Sequence, residues 1–142
     1  MTSTTRPLAA SDGRLSPTLV AWCDRALTTA WAGATHLRAM AVVTSDGFEV
    51  AGSHLRESAE RRLAAIASSL HAVSQAAAQE TRLGAHETVL VSAADGIMAV
   101  TAFELAGQPL LLVQVGGPSA TPGALYVRAK EFAGRASALA AR

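Results

Sequence analysis

The spacing of hydrophobic and polar positions changes several times along the chain. From Pro17 to about Gly33, apolar residues such as Leu27 and Trp31 recur at helical intervals. Ser16 precedes this segment as a candidate N-cap, and proline is favoured at the first helical position. The pattern therefore predicts a first helix over residues 17–33.

Two short apolar segments, residues 37–44 and 48–52, flank the polar turn Ser45-Asp46-Gly47. Asp-Gly between two such segments is a strong hairpin signal, since glycine adopts left-handed backbone conformations at little cost. The sequence predicts two strands joined by this turn. Asp46 is interpreted as a turn residue rather than a binding site.

Residues 57–82 return to helical spacing and predict a long helix. Four large apolar residues recur along it at intervals of three and four, namely Leu63, Ile66, Leu70 and Val73. We expect this stripe to cover a sheet.

A second face carries small residues every four positions, at Ala64, Ser68, Ala72 and Ala76, widened by Ala65 and Ser69. Small side chains allow two helices to approach closely, so this face is interpreted as a contact between two copies. The alternative is that this face packs on the sheet, or that it only reflects an alanine-rich helix.

Three more strands are predicted at residues 87–93, 97–104 and 110–115, with turns at Asp95-Gly96 and Ala106-Gly107. A last helix is predicted over residues 123–140, after Thr121-Pro122. The order αββαβββα predicts an α+β fold, in which one five-stranded antiparallel sheet is covered by helices. Residues 1–16 are rich in Ser, Thr, Pro and Gly and are interpreted as a flexible tail, with a single domain over residues 17–142.

Composition narrows the class of protein. The 142 residues are 50% hydrophobic and 16% charged, with a net charge of +1, which is typical of a globular domain and does not favour nucleic-acid binding. The first residues contain no apolar core of signal-peptide length, and the sequence shows no apolar segment of membrane-spanning length. Cys23 is the only cysteine, so a disulfide within the chain is impossible, and this thiol is interpreted as buried. The chain is expected to be soluble and cytoplasmic, without membrane insertion.

No pattern of reactive residues indicates an enzyme. The four histidines are scattered and have no metal-ligand spacing: His36, His54, His71 and His86. Asp46 and Asp95 both precede a glycine at a predicted turn. Glycine-rich phosphate loops and a GxSxG motif are missing from the sequence. The sequence therefore predicts no catalytic, metal or cofactor site.

Several segments carry a resemblance to a known family. AVVTSDGFEVAG, RRLAAIASSLHAVSQAA, LGAHETVLVSAADGIMAVTAF and QPLLLVQV, in this order, resemble the Roadblock domain family of dynein-light-chain-like proteins. Its bacterial members include the regulator of a gliding-motility GTPase. The resemblance covers residues 17–140, and its specific part is the order of the elements rather than any one motif.

The resemblance implies a profilin-like αββαβββα sandwich, with the long helix on one face of the sheet and the terminal helices on the other. It also implies a homodimer, in which the long helix and the following strand each meet their counterparts. The implied contact residues are Ala64, Ser68, Ala72, Gln75 and Ala76 on the helix, and Thr88, Leu90 and Ser92 within residues 88–92 of the strand.

Family members scaffold or regulate small Ras-like GTPases and have no catalytic chemistry of their own. Some accelerate GTP hydrolysis by reshaping the GTPase. The resemblance thus implies a small-GTPase partner, and Arg61, Arg62 and His71 are expected to contact it. The alternative for these three residues is a solvated helix surface.

Two other classes of function stay open. A small-molecule sensor would need convergent polar groups in a pocket, and the strands offer few, chiefly Thr88, Ser92, Thr101 and Gln114. A small enzyme is the third class.

Overall fold

The computed structural model describes residues 15–53 and 57–140. Eight elements follow one another: α1 (Pro17–Ala32), β1 (Leu37–Thr44), β2 (Glu49–Ser53), α2 (Glu57–Glu80), β3 (Thr88–Ala93), β4 (Gly96–Leu105), β5 (Gln108–Gly116) and α3 (Pro122–Ala140). The predicted order and fold class are confirmed. Residues 1–14 of the predicted tail lie outside the described residues, whereas Leu15 packs in the core beside α1.

The five strands form one antiparallel sheet in the order β2-β1-β5-β4-β3. β1, β5 and β4 each pair on both sides. β3 pairs only with β4, in a register that runs from Thr88 opposite Thr101 to Ala93 opposite Gly96. β3 is therefore an edge strand in the part of the chain that the structure describes.

The sheet separates two hydrophobic cores, because neighbouring residues of a strand point to opposite faces. In β5, Leu110 and Leu112 face α1 and α3, where they share a core with Phe132. Leu111 and Val113 face α2 and share a core with Ala67. The long helix thus covers one face and the terminal helices cover the other, as the resemblance implied.

Local signals explain where the helices begin and end. The Ser16 hydroxyl accepts a hydrogen bond from the Leu19 backbone N–H, at 3.4 Å, and Thr121 accepts one from Ala124, at 3.2 Å. At the end of α2, Arg82 has a left-handed backbone (φ 58°), and the N–H of Leu83 donates to the carbonyl of Ala78. This is a Schellman-type ending with arginine in the place that glycine usually takes.

Asp46 lies in the β1–β2 turn, as predicted. The Thr44 carbonyl accepts a hydrogen bond from Gly47, which has a positive φ of 101°.

The β3–β4 turn differs slightly from the prediction. Its two loop residues are Ala94 and Asp95, and Gly96 already pairs with Ala93. Glycine is required there because a side chain at Gly96 would collide with the carbonyl oxygen of Gly116.

Two further sequence expectations concern Cys23 and membranes. Cys23 is buried in α1 as predicted, and burial raises the pKa of its thiol to about 12. In the part of the chain that the structure describes, no helix has both the length and the apolar character that crossing a bilayer requires.

Candidate protein–protein interface

α2 contacts the sheet along a line centred on Ala67. Ala64 and Ala67 are buried in the core beneath α2, and Leu63 and Leu70 flank that core as half-buried residues. Ile66 and Val73, by contrast, are 51% and 70% exposed. The expectation that all four large apolar residues cover the sheet is therefore wrong for these two. They lie about 100° or more around the helix from Ala67, so they point away from the sheet.

The predicted small-residue strip is not a straight line on the helix. Four residues turn an α-helix by about 400°, so each step of four moves the strip about 40° around the axis. The strip consequently begins under the helix and ends on its outside. Ala64 is 1% exposed and has no surface left for a second chain. Ser68 is half-buried, whereas Ala72, Gln75 and Ala76 are exposed.

The exposed side of α2 forms an apolar surface, which we name the α2 outer face. It combines two large apolar residues with small ones, namely Ile66 and Val73 with Ala65, Ser69, Ala72 and Ala76, all exposed. A surface helix normally presents polar and charged residues to water. An exposed apolar surface of this kind is typical of a protein–protein interface.

The edge strand β3 carries the second exposed apolar feature. Leu90 and Val91 point to opposite faces of the sheet and are 50% and 38% exposed. The strand, TVLVSA, contains no proline and no charged residue. Natural edge strands are usually protected by such residues, because an unpaired edge promotes pairing with another chain. The edge of β3 therefore has the features of a strand that pairs with a partner.

The three predicted strand-contact residues differ in environment. Thr88 is half-buried and its hydroxyl lies 3.1 Å from that of Thr101 on β4. Leu90 and Ser92 are exposed on the same face of β3. Val91, which the sequence did not single out, is exposed on the face that α2 covers.

The structure does not bring Arg61, Arg62 and His71 together. Arg61 borders a surface cavity of about 500 Å³, lined by Val20, Phe48 and Val50 among others. Arg62 is exposed, on the N-terminal part of the α2 outer face. His71 lies about 14 Å further along the helix and is turned toward the start of β3. Any partner contact through all three would have to extend around the helix.

His71 is joined to a residue that is distant in sequence. Its Nδ1 atom lies 3.1 Å from Nδ1 of His86, which precedes β3. Burial lowers the pKa of His71, and the nearby charge of His86 lowers it further. Nε2 of His86 is buried and has no hydrogen-bond partner among the described residues. The pair lies where α2 meets the beginning of the edge strand.

Three of the four polar strand residues that a sensor would need form hydrogen bonds within the fold, and the fourth, Ser92, is exposed at the sheet edge. Gln114 is fully buried, and its side chain donates to the Leu125 carbonyl, at 2.9 Å, and accepts from Arg128, at 3.1 Å. Thr101 is buried beside Thr88. These contacts leave the sensor interpretation without a convergent polar site on the strands.

Ile66 and Val73 are the interface candidates that sequence reasoning missed, whereas Val91 lies within the predicted contact range 88–92 without being named in it. The sequence of α2 did contain a signal. Ala67, a small apolar residue, lies between Ile66 and Leu70, two of the large residues that were expected to cover the sheet. Apolar positions then occupy more of the helix circumference than one buried face requires.

Comparisons with known proteins agree with this architecture. The family model of the Roadblock/LC7 domain matches residues 26–114. The Roadblock/LC7 domain from Streptomyces avermitilis superposes with a TM-score of 0.72 at 18% identity, over 81% of this chain and 94% of that chain.

Two MglB structures are also similar. One, MglB with a tetrameric arrangement, gives a TM-score of 0.71 at 22% identity, over 89% of this chain and 90% of that one. The gliding protein mglB from Thermus thermophilus gives 0.70 at 20% identity, over 89% and 91%. These superpositions show a shared fold. Among curated proteins, none matches the chain.

Proposed function

The chain belongs to the Roadblock/LC7 domain family, and from this premise we propose that it is a non-enzymatic, homodimeric regulator or scaffold of a small Ras-like GTPase. Roadblock/LC7 domains are generally regulatory or adaptor modules. The observation that carries the proposal is the α2 outer face together with the unprotected edge of β3. Both features favour association with another protein over chemistry within the chain.

The proposed dimer has a two-fold axis that places β3 beside β3 and α2 beside α2. Pairing of the β3 edges would give their unpaired N–H and C=O groups partners. The axis makes the two copies of α2 antiparallel, with Ile66 and Val73 between them. Of the sequence-predicted contacts, Ala72, Ala76, Leu90 and Ser92 remain in this proposal, and Thr88 lies at its margin. Ser68 and Gln75 are about 200° around the helix from Ile66 and Val73, so they lie outside the proposed helix contact. Ala64 is excluded because it is buried.

Two charges on α2 support the antiparallel arrangement. Arg62 and Glu80 are both exposed and lie 18 positions apart. Eighteen residues make about five helical turns, so both side chains lie on the same line of the helix, about 27 Å apart. In an antiparallel pair, Arg62 of one copy faces Glu80 of the other at both ends of the contact. Opposite charges in these positions favour this orientation and disfavour a parallel one.

A charge exchange tests the dimer and its orientation together. Arg62→Glu and Glu80→Arg each place like charges opposite one another, so each should weaken the dimer. The double variant restores opposite charges and should dimerise as the unmodified chain does. The measurement is the dimer dissociation constant from sedimentation equilibrium at low salt. A double variant weaker than both single variants would refute the antiparallel arrangement.

A hydrophobic pair of variants tests the surface itself. Val73→Glu introduces a charge into the α2 outer face and should yield monomers. Val127→Glu is the matched control, since Val127 is 56% exposed on α3, on the opposite side of the sheet. Light scattering gives the mass of each variant. If Val127→Glu alone produced monomers, the interface would lie on the α1–α3 side.

The GTPase partner needs a separate experiment. The immobilised chain is incubated with lysate of its native cell, once with a non-hydrolysable GTP analogue and once with GDP, and retained proteins are identified by mass spectrometry. We expect a small GTPase enriched in one nucleotide state. The GTPase is then purified, and its hydrolysis rate is measured with and without the chain. Retention of no GTPase in either state would refute this part of the proposal while leaving the dimer intact.

A further inference from the structure

The His71–His86 pair has a geometry that the proposed function does not use. The two residues are 15 positions apart in sequence, and the fold places their Nδ1 atoms 3.1 Å apart. Their ring centroids are 5.1 Å apart with an angle of 54° between the ring planes. A hydrogen bond at this distance requires one ring to donate and the other to accept. The second arrangement available to two neutral imidazoles is to share a metal ion.

The distance fits a shared ion. Imidazole nitrogens bind zinc at about 2.0–2.1 Å, so two nitrogens 3.1 Å apart subtend an angle of about 98° at the metal. This value lies between the angles of octahedral and tetrahedral coordination. The rings are tilted rather than stacked, and their Nδ1 atoms are the ring atoms that face each other across the gap.

The surroundings of His71 favour the form that can bind metal. Burial favours the neutral form of His71, and only the neutral imidazole is a ligand. Nδ1 of His86 is the ring nitrogen directed at His71, and its Nε2 is buried without a hydrogen-bond partner among the described residues. His71 belongs to α2, and His86 lies two residues before β3.

We propose that His71 and His86 form a binding site for a divalent transition-metal ion of the zinc or copper class, which joins α2 to the start of β3. Imidazole favours such ions, whereas magnesium and calcium prefer oxygen ligands. Among the described residues, no group of three or more His, Cys, Asp or Glu side chains could hold a metal. The chain therefore contributes two ligands, and water completes the coordination. The site does not depend on the proposed dimer or on a GTPase.

The proton balance is simple at neutral pH. In the metal-free pair, one ring carries its proton on Nδ1. Metal binding takes both Nδ1 lone pairs, so that ring moves its proton to Nε2 and both rings stay neutral. Protons compete with the metal for the imidazole nitrogens, so binding should weaken as the pH falls.

The test uses the tag-free chain after treatment with EDTA. At a zinc concentration about 100-fold above the dissociation constant, the Tm should rise by about 5–10 °C. The rise should disappear in His71→Gln and in His86→Gln, and magnesium should produce none. His36→Asn is the matched control, because it removes an exposed imidazole just before β1 and should keep the full rise.

A spectroscopic measurement keeps the proposal testable if a variant folds poorly. Copper(II) bound to the unmodified chain should give an electron paramagnetic resonance spectrum with nitrogen coupling from two imidazoles, and each single variant should show one. A zinc shift that is equal in all three variants would overturn the proposal. So would the absence of any shift in the unmodified chain, which would identify the pair as a hydrogen bond only.

Discussion

Ser68 of α2 donates a hydrogen bond of 2.8 Å to the backbone carbonyl oxygen of Ser45, in the turn between β1 and β2. Gly47 of the same turn lies beneath this part of the helix, where an added Cβ would be 3.7 Å from that of Ser68. The turn that contains Asp46 is thus held against α2 by a hydrogen bond within the same chain. The small residue at position 68 permits this close approach of helix and turn.

Ser68→Ala should remove this bond while leaving the packing nearly unchanged. One such hydrogen bond contributes about 0.5–1.5 kcal/mol, and the better helix propensity of alanine offsets part of the loss. We expect the free energy of unfolding to fall by about 0.5–1 kcal/mol in urea denaturation. Ser137→Ala, at an exposed position of α3, should be neutral or stabilising. An equal change in both variants would mean that the Ser45 contact contributes nothing.

Gln114→Leu should destabilise the attachment of α3 to the sheet. The change keeps the side-chain volume but removes the bonds to the Leu125 carbonyl and the Arg128 guanidinium. Loss of a buried hydrogen-bonding partner costs about 1–3 kcal/mol. Thermal or urea unfolding should report a loss in this range. A double-mutant cycle with Arg128→Met measures the interaction free energy between the Gln114 and Arg128 side chains. An interaction free energy of zero would contradict that contact.

Two glycine substitutions should have opposite effects on stability. In Gly96→Ala the new Cβ would collide with the Gly116 carbonyl oxygen, and overpacking of this kind costs about 1–3 kcal/mol. Gly134 lies within α3 with open space around its Cα, so Gly134→Ala should stabilise by about 0.5–1 kcal/mol. Chemical denaturation gives the free energy of unfolding of each variant. A decrease for Gly96→Ala reports the steric collision, and an increase for Gly134→Ala reports the better helix propensity of alanine. A Gly96→Ala protein as stable as the unmodified chain would argue against the close β4–β5 approach.

Stability should decrease as the pH falls below neutrality, in part because of His71. Its pKa is lower in the folded chain than the ordinary value of 6.5. Between these two pKa values the unfolded chain binds more protons, so the free energy of unfolding falls as the pH falls from 6.5 through the folded pKa. Denaturation at about pH 7.5 and about pH 5, with EDTA present, should show a smaller decrease for His71→Gln. Identical decreases would exclude His71 as a contributor.

Cys23 should be unreactive in the folded chain. Burial raises the pKa of its thiol to about 12, and the charge of Asp24 contributes to the increase. Since only the thiolate is nucleophilic, Ellman's reagent at about pH 8 should label the native chain very slowly. Unfolding in guanidinium chloride should expose one thiol that reacts at once. Rapid labelling without denaturant would contradict the burial of α1 on the sheet.

The secondary structure followed closely from local sequence signals. The bounds of all eight elements agree with the prediction within two residues. Such signals act over a few positions, as when Thr121 caps α3 or Gly47 adopts a positive φ in the β1–β2 turn. Because each depends only on neighbouring residues, the pattern of apolar and turn residues was sufficient to predict it.

The orientation of α2 did not follow from the sequence. Large apolar residues were expected to cover the sheet, yet Ala67 lies at the centre of the contact and Val73 is exposed. A small residue at that centre allows the helix axis to approach the sheet, and this choice depends on the shape of β1, β4 and β5 together. Hydrophobic spacing alone does not distinguish the two faces when apolar residues occupy both.

The amino-acid sequence determined the elements, the order that places the chain in its family, and the absence of a catalytic motif, since these depend on residue type and short spacing. The tertiary structure decided which apolar residues of α2 remain exposed, that β2 and β3 form the edges of the sheet, and that His71 meets His86. Contacts between residues 15 positions apart arise from the packing of whole elements on the sheet. They are a property of the assembled core rather than of any local segment.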